Sequence, residues 1–267
     1  MQIQVKQASN ASILPLRTRH RQEMNCQIVH DSIHRREGWT LSYLLELSGV
    51  AVGFGSVAIA GPWKDKPTVF EFYILPQHRS RVFELFDAFL TASGGRFFEV
   101  QSNDVLLTVM LHTYGRDIAT EKIVFADGHT TTHPPNGAVL RCATSEEETG
   151  AALERRQGGC EWTLEIDGTV AATGGILFHY NRPYGDIYME VAQPFRKRGI
   201  GSYFVQELKR ICYELGAVPC ARCNPTNIAS RRTLQSAGFV PFAHILNATI
   251  NSIFDRPERK PAQRDCA

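Results

Sequence analysis

The 267-residue sequence predicts an α/β (α+β) fold laid down twice in tandem. Two strand–turn signals far apart in the chain point to it: Leu45-Glu46-Leu47-Ser48-Gly49 and Leu164-Glu165-Ile166-Asp167-Gly168, each a strand running into a hairpin turn. The same order of elements follows both. Between them lies a polar, turn-rich stretch, residues 129–137, that ends in two prolines and an Asn-Gly pair and reads as a linker.

In the first half, a strand rich in small residues runs from Val50 to Ala60, and Val69 to Leu75 forms the next strand before Pro76. Val82, Phe83, Phe86, Phe89 and Leu90 mark an amphipathic helix, and Asn103 heads a second helical run to Tyr114. The second half repeats this with strands from Thr169 to Tyr180 and from Asp186 to Gln193, the latter before Pro194. Phe204, Leu208, Ile211, Cys212 and Leu215 then fall at helical spacing, and Gly216 stops the helix. Val218 to Cys223 reads as a short buried strand, and Asn224-Pro225-Thr226-Asn227 as a turn opening a helix. The expected domains are therefore residues 1–128 and 138–255, with 256–267 a charged, Pro-rich mobile tail.

Composition narrows the function classes. With 43% hydrophobic residues the chain can build two cores, and a net charge of +2 gives no reason to expect a nucleic-acid partner. Residues 1–10 lack an apolar segment and no run is long enough to span a membrane, so a soluble, cytoplasmic protein is expected. The seven cysteines, an odd number, suit a reducing compartment. Cys220 and Cys223 are three apart in a strand, so they face opposite ways and read as buried thiols. His129 and His133 lie among threonines and prolines rather than on a helix, and no metal is expected.

The most chemical stretch is Arg196-Lys197-Arg198-Gly199-Ile200-Gly201-Ser202, set between a strand and a helix. Two glycines let a backbone loop close around an anion, and the amides of the helix start point at it. The spacing is neither a Walker A loop nor a dinucleotide fingerprint, whose third glycine is replaced here by Phe204. It resembles the acyl-coenzyme A loop of the GNAT N-acetyltransferase superfamily, Gln/Arg-x-x-Gly-x-Gly/Ala. The later run Asn227 to Phe239, with Ser230, Leu234 and Gly238-Phe239, resembles that family's second signature, Asn-x-x-Ala/Ser-x-x-x-Leu/Tyr-x-x-x-Gly-Phe. The resemblance covers about residues 138–250.

It implies two tandem GNAT-like domains, each a mixed, mostly antiparallel twisted sheet flanked by helices, and acetyl-CoA as co-substrate. Carried over position by position, Val191, Ala192 and Gln193 would meet the pantetheine, with the Val191 amide polarising the thioester carbonyl. Arg196, Lys197, Arg198, Gly199, Ile200, Gly201 and Ser202 would hold the pyrophosphate, and Asn227 and Ser230 the pantetheine or adenosine portion. Asp186, Tyr188 and Glu190 alternate onto one strand face, and Glu190, then Asp186, are the candidate bases. Leu234 stands where a tyrosine acid is common; Tyr203, Cys223 or water are the substitutes. The corresponding loop of the first half, Gln77 to Glu84, has no glycine and carries a carboxylate, so that half is expected to be a degenerate copy that walls the acceptor cleft or supports assembly. The acceptor would be a primary amine of a small molecule or protein, and a homodimer is left open. The alternatives are a non-catalytic coenzyme A-binding sensor or interaction protein and, more distantly, a nucleotide-triphosphate site.

Overall fold

The computed structural model describes residues 2–24, 31–129, 138–142, 161–178 and 180–251. The first half comprises β1 (Ile3–Ala8), α1 (Asn10–Met24), α2 (Asp31–Arg35), β2 (Thr40–Leu47), β3 (Val50–Ala58), β4 (Thr68–Ile74), α3 (Val82–Ser93), β5 (Phe97–Gln101), α4 (Val105–Tyr114) and β6 (Gly115–Asp127). The second comprises β7 (Ala138–Cys142), β8 (Trp162–Ile166), β9 (Thr169–Leu177), β10 (Tyr184–Val191), α5 (Ile200–Glu214), β11 (Val218–Cys223), α6 (Ile228–Ser236) and β12 (Phe239–Ile250). The two hairpin turns are alike to the residue. Ser48-Gly49 and Asp167-Gly168 all take positive φ, the geometry of a two-residue turn that matches strand twist.

The twelve strands among the described residues join one sheet in the order β1-β2-β3-β4-β5-β12-β6-β11-β10-β9-β8-β7. That order reads the same from both ends once β12 is matched with β6, so the repeat is built into the topology. Each half gives its last strand to the other. β6 pairs antiparallel with β11, from Cys220 opposite Ala126 to Cys223 opposite Ile123. β12 pairs antiparallel with β5, from Ile245 opposite Gln101 to Thr249 opposite Phe97. The exchanged strands then pair with each other along their length. Accordingly, Ala248 and Ile250 complete the first half's core around Phe72, Phe86 and Phe98, while Phe125 belongs to the second half's core with Phe204 and Leu208.

A buried lysine ties the crossing point. Lys209 of α5 is 1% exposed, and its Nζ donates to the His129 carbonyl at 2.8 Å and the Ala237 carbonyl at 3.2 Å. It also meets the Asp127 carboxylate at 2.6 Å. Two carbonyl hydrogen bonds and one carboxylate ion pair thus surround the ammonium, and such pairing is the condition for burying it.

In the first half α1 and α2 pack on the sheet through charges that the sequence did not flag. Arg17 donates to both Glu71 carboxylate oxygens, at 2.7 to 3.0 Å, and His34 Nε2 lies 2.8 Å from the same group. Arg17 and Arg21 also meet Asp31. Burial alone would push the Glu71 carboxyl up, but Arg17 and His34 outweigh it and hold the group well below the usual carboxylate range.

Two local expectations change. Asp104, not Asn103, caps α4, its Oδ1 accepting from the Leu107 amide at 3.0 Å. Cys142 is disulfide-bonded, which departs from the expectation of thiols alone, whereas Cys212, Cys220 and Cys223 are buried free thiols. The expected tail and most of the expected linker lie outside the described residues. No helix among the described residues is long and apolar enough to cross a membrane.

Glu71→Gln tests the buried cluster. Removing one partner of a buried ion pair costs about 3–5 kcal/mol, so this variant should lose that much at neutral pH in urea melts. Because the folded Glu71 pKa is depressed, its stabilisation is present above the ordinary carboxylate range and lost as pH falls through the folded value. The gap between wild type and variant should therefore close only in strongly acidic solution.

Candidate active site

The loop begins where β10 ends. Gln193–Phe195 make one tight turn, Lys197 and Gly199 both take positive φ (62° and 77°), and α5 starts at Ile200. Lys197 is a non-glycine residue in the left-handed region, a conformation that a lysine side chain does not favour. α5 has no side-chain cap, and its first intrahelical bond runs from the Tyr203 amide to the Gly199 carbonyl at 3.1 Å. The amides of Ile200, Gly201 and Ser202 precede it and face out of the helix end, where the dipole is positive.

The two glycines serve different needs. A Cβ on Gly199 would meet nothing within 4 Å, so its value lies in the positive φ. A Cβ on Gly201 would sit 3.0 Å from Met189 Cε, 3.1 Å from Thr233 Cγ2 and 3.3 Å from Val191 Cγ2. Gly201 therefore seats α5 closely on β10 and α6.

A groove of about 490 Å³ opens over this loop, between the end of β10 and α6. Nine of the twelve residues expected to hold coenzyme line it; Ala192, Gln193 and Arg198 do not. The Ala192 amide is bonded to the Ala171 carbonyl at 2.9 Å, and the Arg198 guanidinium lies over the Phe195 ring at 5.6 Å. Sequence reasoning missed Ala229, Arg232, Thr233 and Ser236, which form a stripe on α6 at helical spacing along the groove. Asn227 caps α6 by accepting from the Ser230 amide at 3.0 Å, as its position predicts.

A second cleft, of about 360 Å³, lies where β10 and β11 part. Their parallel pairing stops at Ile187 and Ala221, while β10 continues to Val191. Met189, Asn227 and Ser230 line both spaces, so groove and cleft adjoin. The two candidate bases separate here. Asp186 is 4% exposed, lines the cleft, and accepts from Arg222 at 2.8 Å. Burial raises its carboxyl pKa, and Arg222 only partly offsets that. Glu190 is exposed, lines the outer groove rather than the cleft, and lies 3.6 Å from Arg196. Leu234 and Cys223 line the cleft, whereas Tyr203 lines neither space. Tyr188, expected on the same strand face as Asp186, also lines it, and so does Lys122, which was not anticipated. Lys122 arrives on β6, the strand given by the first half.

The first half shows the same frame closed. The Leu75 amide bonds the Val52 carbonyl at 2.9 Å as the Ala192 amide bonds Ala171, and Asp104 caps its helix as Asn227 does. Matched at these points, Phe70, Glu71, Glu99, Val100, Gln101, Asp104 and Ile245 correspond to Ile187, Tyr188, Arg222, Cys223, Asn224, Asn227 and Lys122. All fourteen line their respective cavities, yet the first half's holds only about 10 Å³. His20 and Met24 of α1 fill it, with His20 Nε2 2.9 Å from Asp104. Among the described residues no cluster of three or more His, Cys, Asp or Glu side chains could hold a metal.

Residues 129–239 match the model of the acetyltransferase (GNAT) family. Comparison with curated proteins found no match. Among solved structures, a GNAT-family acetyltransferase from Colwellia psychrerythraea aligns over 93% of this chain and 100% of its own, at 15% identity and a TM-score of 0.73. A tandem GNAT protein from the clavulanic acid biosynthesis pathway aligns over 93% and 98%, at 12% identity and TM-score 0.61. A GCN5-related N-acetyltransferase from Sphaerobacter thermophilus aligns over 93% and 96%, at 15% and 0.60. These likenesses establish the tandem GNAT fold.

Gly199→Ala should cost about 1–2 kcal/mol of stability, the penalty of forcing an L side chain into the left-handed region. Urea melts check it, and an unchanged midpoint would mean that the turn does not need positive φ.

Proposed function

We propose, from the premise that residues 129–239 belong to the GNAT acetyltransferase family, that the chain is an acetyl-CoA-dependent N-acetyltransferase with one active cleft, in its second half. The observation that carries this reading is that the loop groove adjoins the β10–β11 cleft and shares three lining residues with it, against a nearly filled equivalent in the first half.

The residues fit a long anionic thioester. When bound, acetyl-CoA supplies the activated acyl group. The amides of Ile200, Gly201 and Ser202, with Lys197 and Arg232 beside them, would hold its pyrophosphate at the helix end. The Val191 amide, at the last position of β10, serves the thioester carbonyl. Asp186 is the stronger base: it lies within the cleft, and burial makes its carboxylate more basic than a surface one. It takes the proton that an ammonium acceptor must lose before its nitrogen can attack. Arg222 keeps Asp186 oriented. On the leaving side the apolar Leu234 offers no proton, and Lys122, Tyr188 and Cys223 are titratable donors that line the cleft. The acceptor is a primary amine of a small molecule or protein.

Thiol release from acetyl-CoA with a panel of amines tests this. General-base catalysis contributes about 10²–10⁴-fold, so Asp186→Asn should lower turnover by at least about a hundredfold with coenzyme affinity nearly unchanged, and Glu190→Gln should have a much smaller effect. The reverse ranking would move the base to Glu190. Tight acetyl-CoA binding without turnover on any amine would favour the sensor reading instead.

A further inference from the structure

The leading arginine of the loop makes a contact that recurs in the half without the glycines. Arg196 Nε donates to the Val191 carbonyl at 2.9 Å, and Arg79 Nε donates to the Ile74 carbonyl at 2.9 Å. The positions correspond, because Ile74 and Val191 are the last residues of β4 and β10. The amide on the other side of each peptide is also held: Leu75 N–H by the Val52 carbonyl and Ala192 N–H by the Ala171 carbonyl, both at 2.9 Å. One peptide plane at each strand end is therefore clamped from both sides. The outer guanidinium nitrogens also behave alike. Arg196 Nη2 lies 3.6 Å from the Glu190 carboxylate, and Arg79 Nη2 lies 2.6 Å from that of Glu23.

The first half has no glycine in its loop, carries Glu84 in the first turn of α3, and has a filled cleft, so no phosphate explains Arg79. The contact is nonetheless the same. We infer that Arg196 is a positioning residue: its Nε latches the strand end that presents Val191, and its charge is directed to Glu190 rather than to the ligand's phosphates. The consequence for catalysis rests on the acetyltransferase reading; the latch itself does not. The inference also gives Glu190 a role, as partner of the latch, and leaves phosphate neutralisation to Lys197, Arg232 and the helix-end amides.

The chemistry offers a clean separation. Glutamine places its Nε2 the same number of bonds from Cα as arginine's Nε, so Arg196→Gln keeps the donor and removes the charge. Arg196→Lys keeps the charge and puts a methylene where the donor was. Arg196→Met removes both. Hydrogen exchange in the free full-length protein, read on peptides covering residues 190–200, should be near wild type for R196Q and about three- to tenfold faster for R196K and R196M, the range expected for one lost hydrogen bond. Coenzyme A titrated by calorimetry should rank R196Q closer to wild type than R196K. Arg79→Met should speed exchange in residues 73–82 in the same way. If R196K matches wild type while R196Q behaves as R196M, Arg196 acts through its charge and the inference is wrong. A wild-type protein that binds no coenzyme A would sink the acetyltransferase reading, while the exchange series would still decide the latch.

Discussion

The antiparallel ladder between β6 and β12 is the constraint on which the rest of the molecule depends. Each half contributes one of its two strands, and each of those strands completes the other half's sheet and core. β5 and β11 would each present an unpaired edge without it, and an open edge with an apolar face is unstable in water. Lys209 fixes the same junction from the helix side by gathering the His129 and Ala237 carbonyls and Asp127. The two halves are therefore a structural unit, and the candidate cleft of the second half takes part of its wall from the first: Lys122 reaches it on β6.

The exchange also explains how one frame yields two outcomes. Seven equivalent positions line a cleft in each half, so backbone geometry does not decide which is open. Side chains do. In the first half α1 sends His20 and Met24 into the space, and the Arg17–Glu71–His34 cluster holds α1 and α2 against the sheet. The loop is closed in the same half by ordinary helical residues in place of glycine, with Arg81 and Glu84 paired across it at 2.5 Å. What survives in both halves is the arginine contact to the strand end, which marks it as a requirement of the fold.

Much of this was legible in the sequence because it depends on local chemistry. Ser48-Gly49 and Asp167-Gly168 announce their turns, the apolar spacing of α3 and α5 announces the helices, and Gly199 announces a left-handed turn. Asn227 declares its cap. The strand exchange was not legible: period-two alternation shows which faces β6 and β12 bury but not whose neighbours they become. Nor did alternation rank Asp186 and Glu190, since both fall on one face; the difference arises because pairing with β11 ends at Ile187, leaving Glu190 beyond it. α1 was missed because Asn10–Met24 contains Pro15 and buries arginine and histidine as well as apolar residues, so it lacks the periodic signal of a core helix. Lys197 gave no sign of its positive φ, because nothing in a lysine side chain favours it.

The central claim is that the repeat holds one working acyl-CoA site and one filled remnant. Isothermal titration of the full-length protein with acetyl-CoA tests it most directly through stoichiometry. One site per chain, abolished by a bulky replacement of Gly201 and untouched by substitutions in the Gln77 to Glu84 segment, is the predicted result. Two sites per chain, or a single site that survives the Gly201 change and is lost on altering the first half's loop, would contradict it.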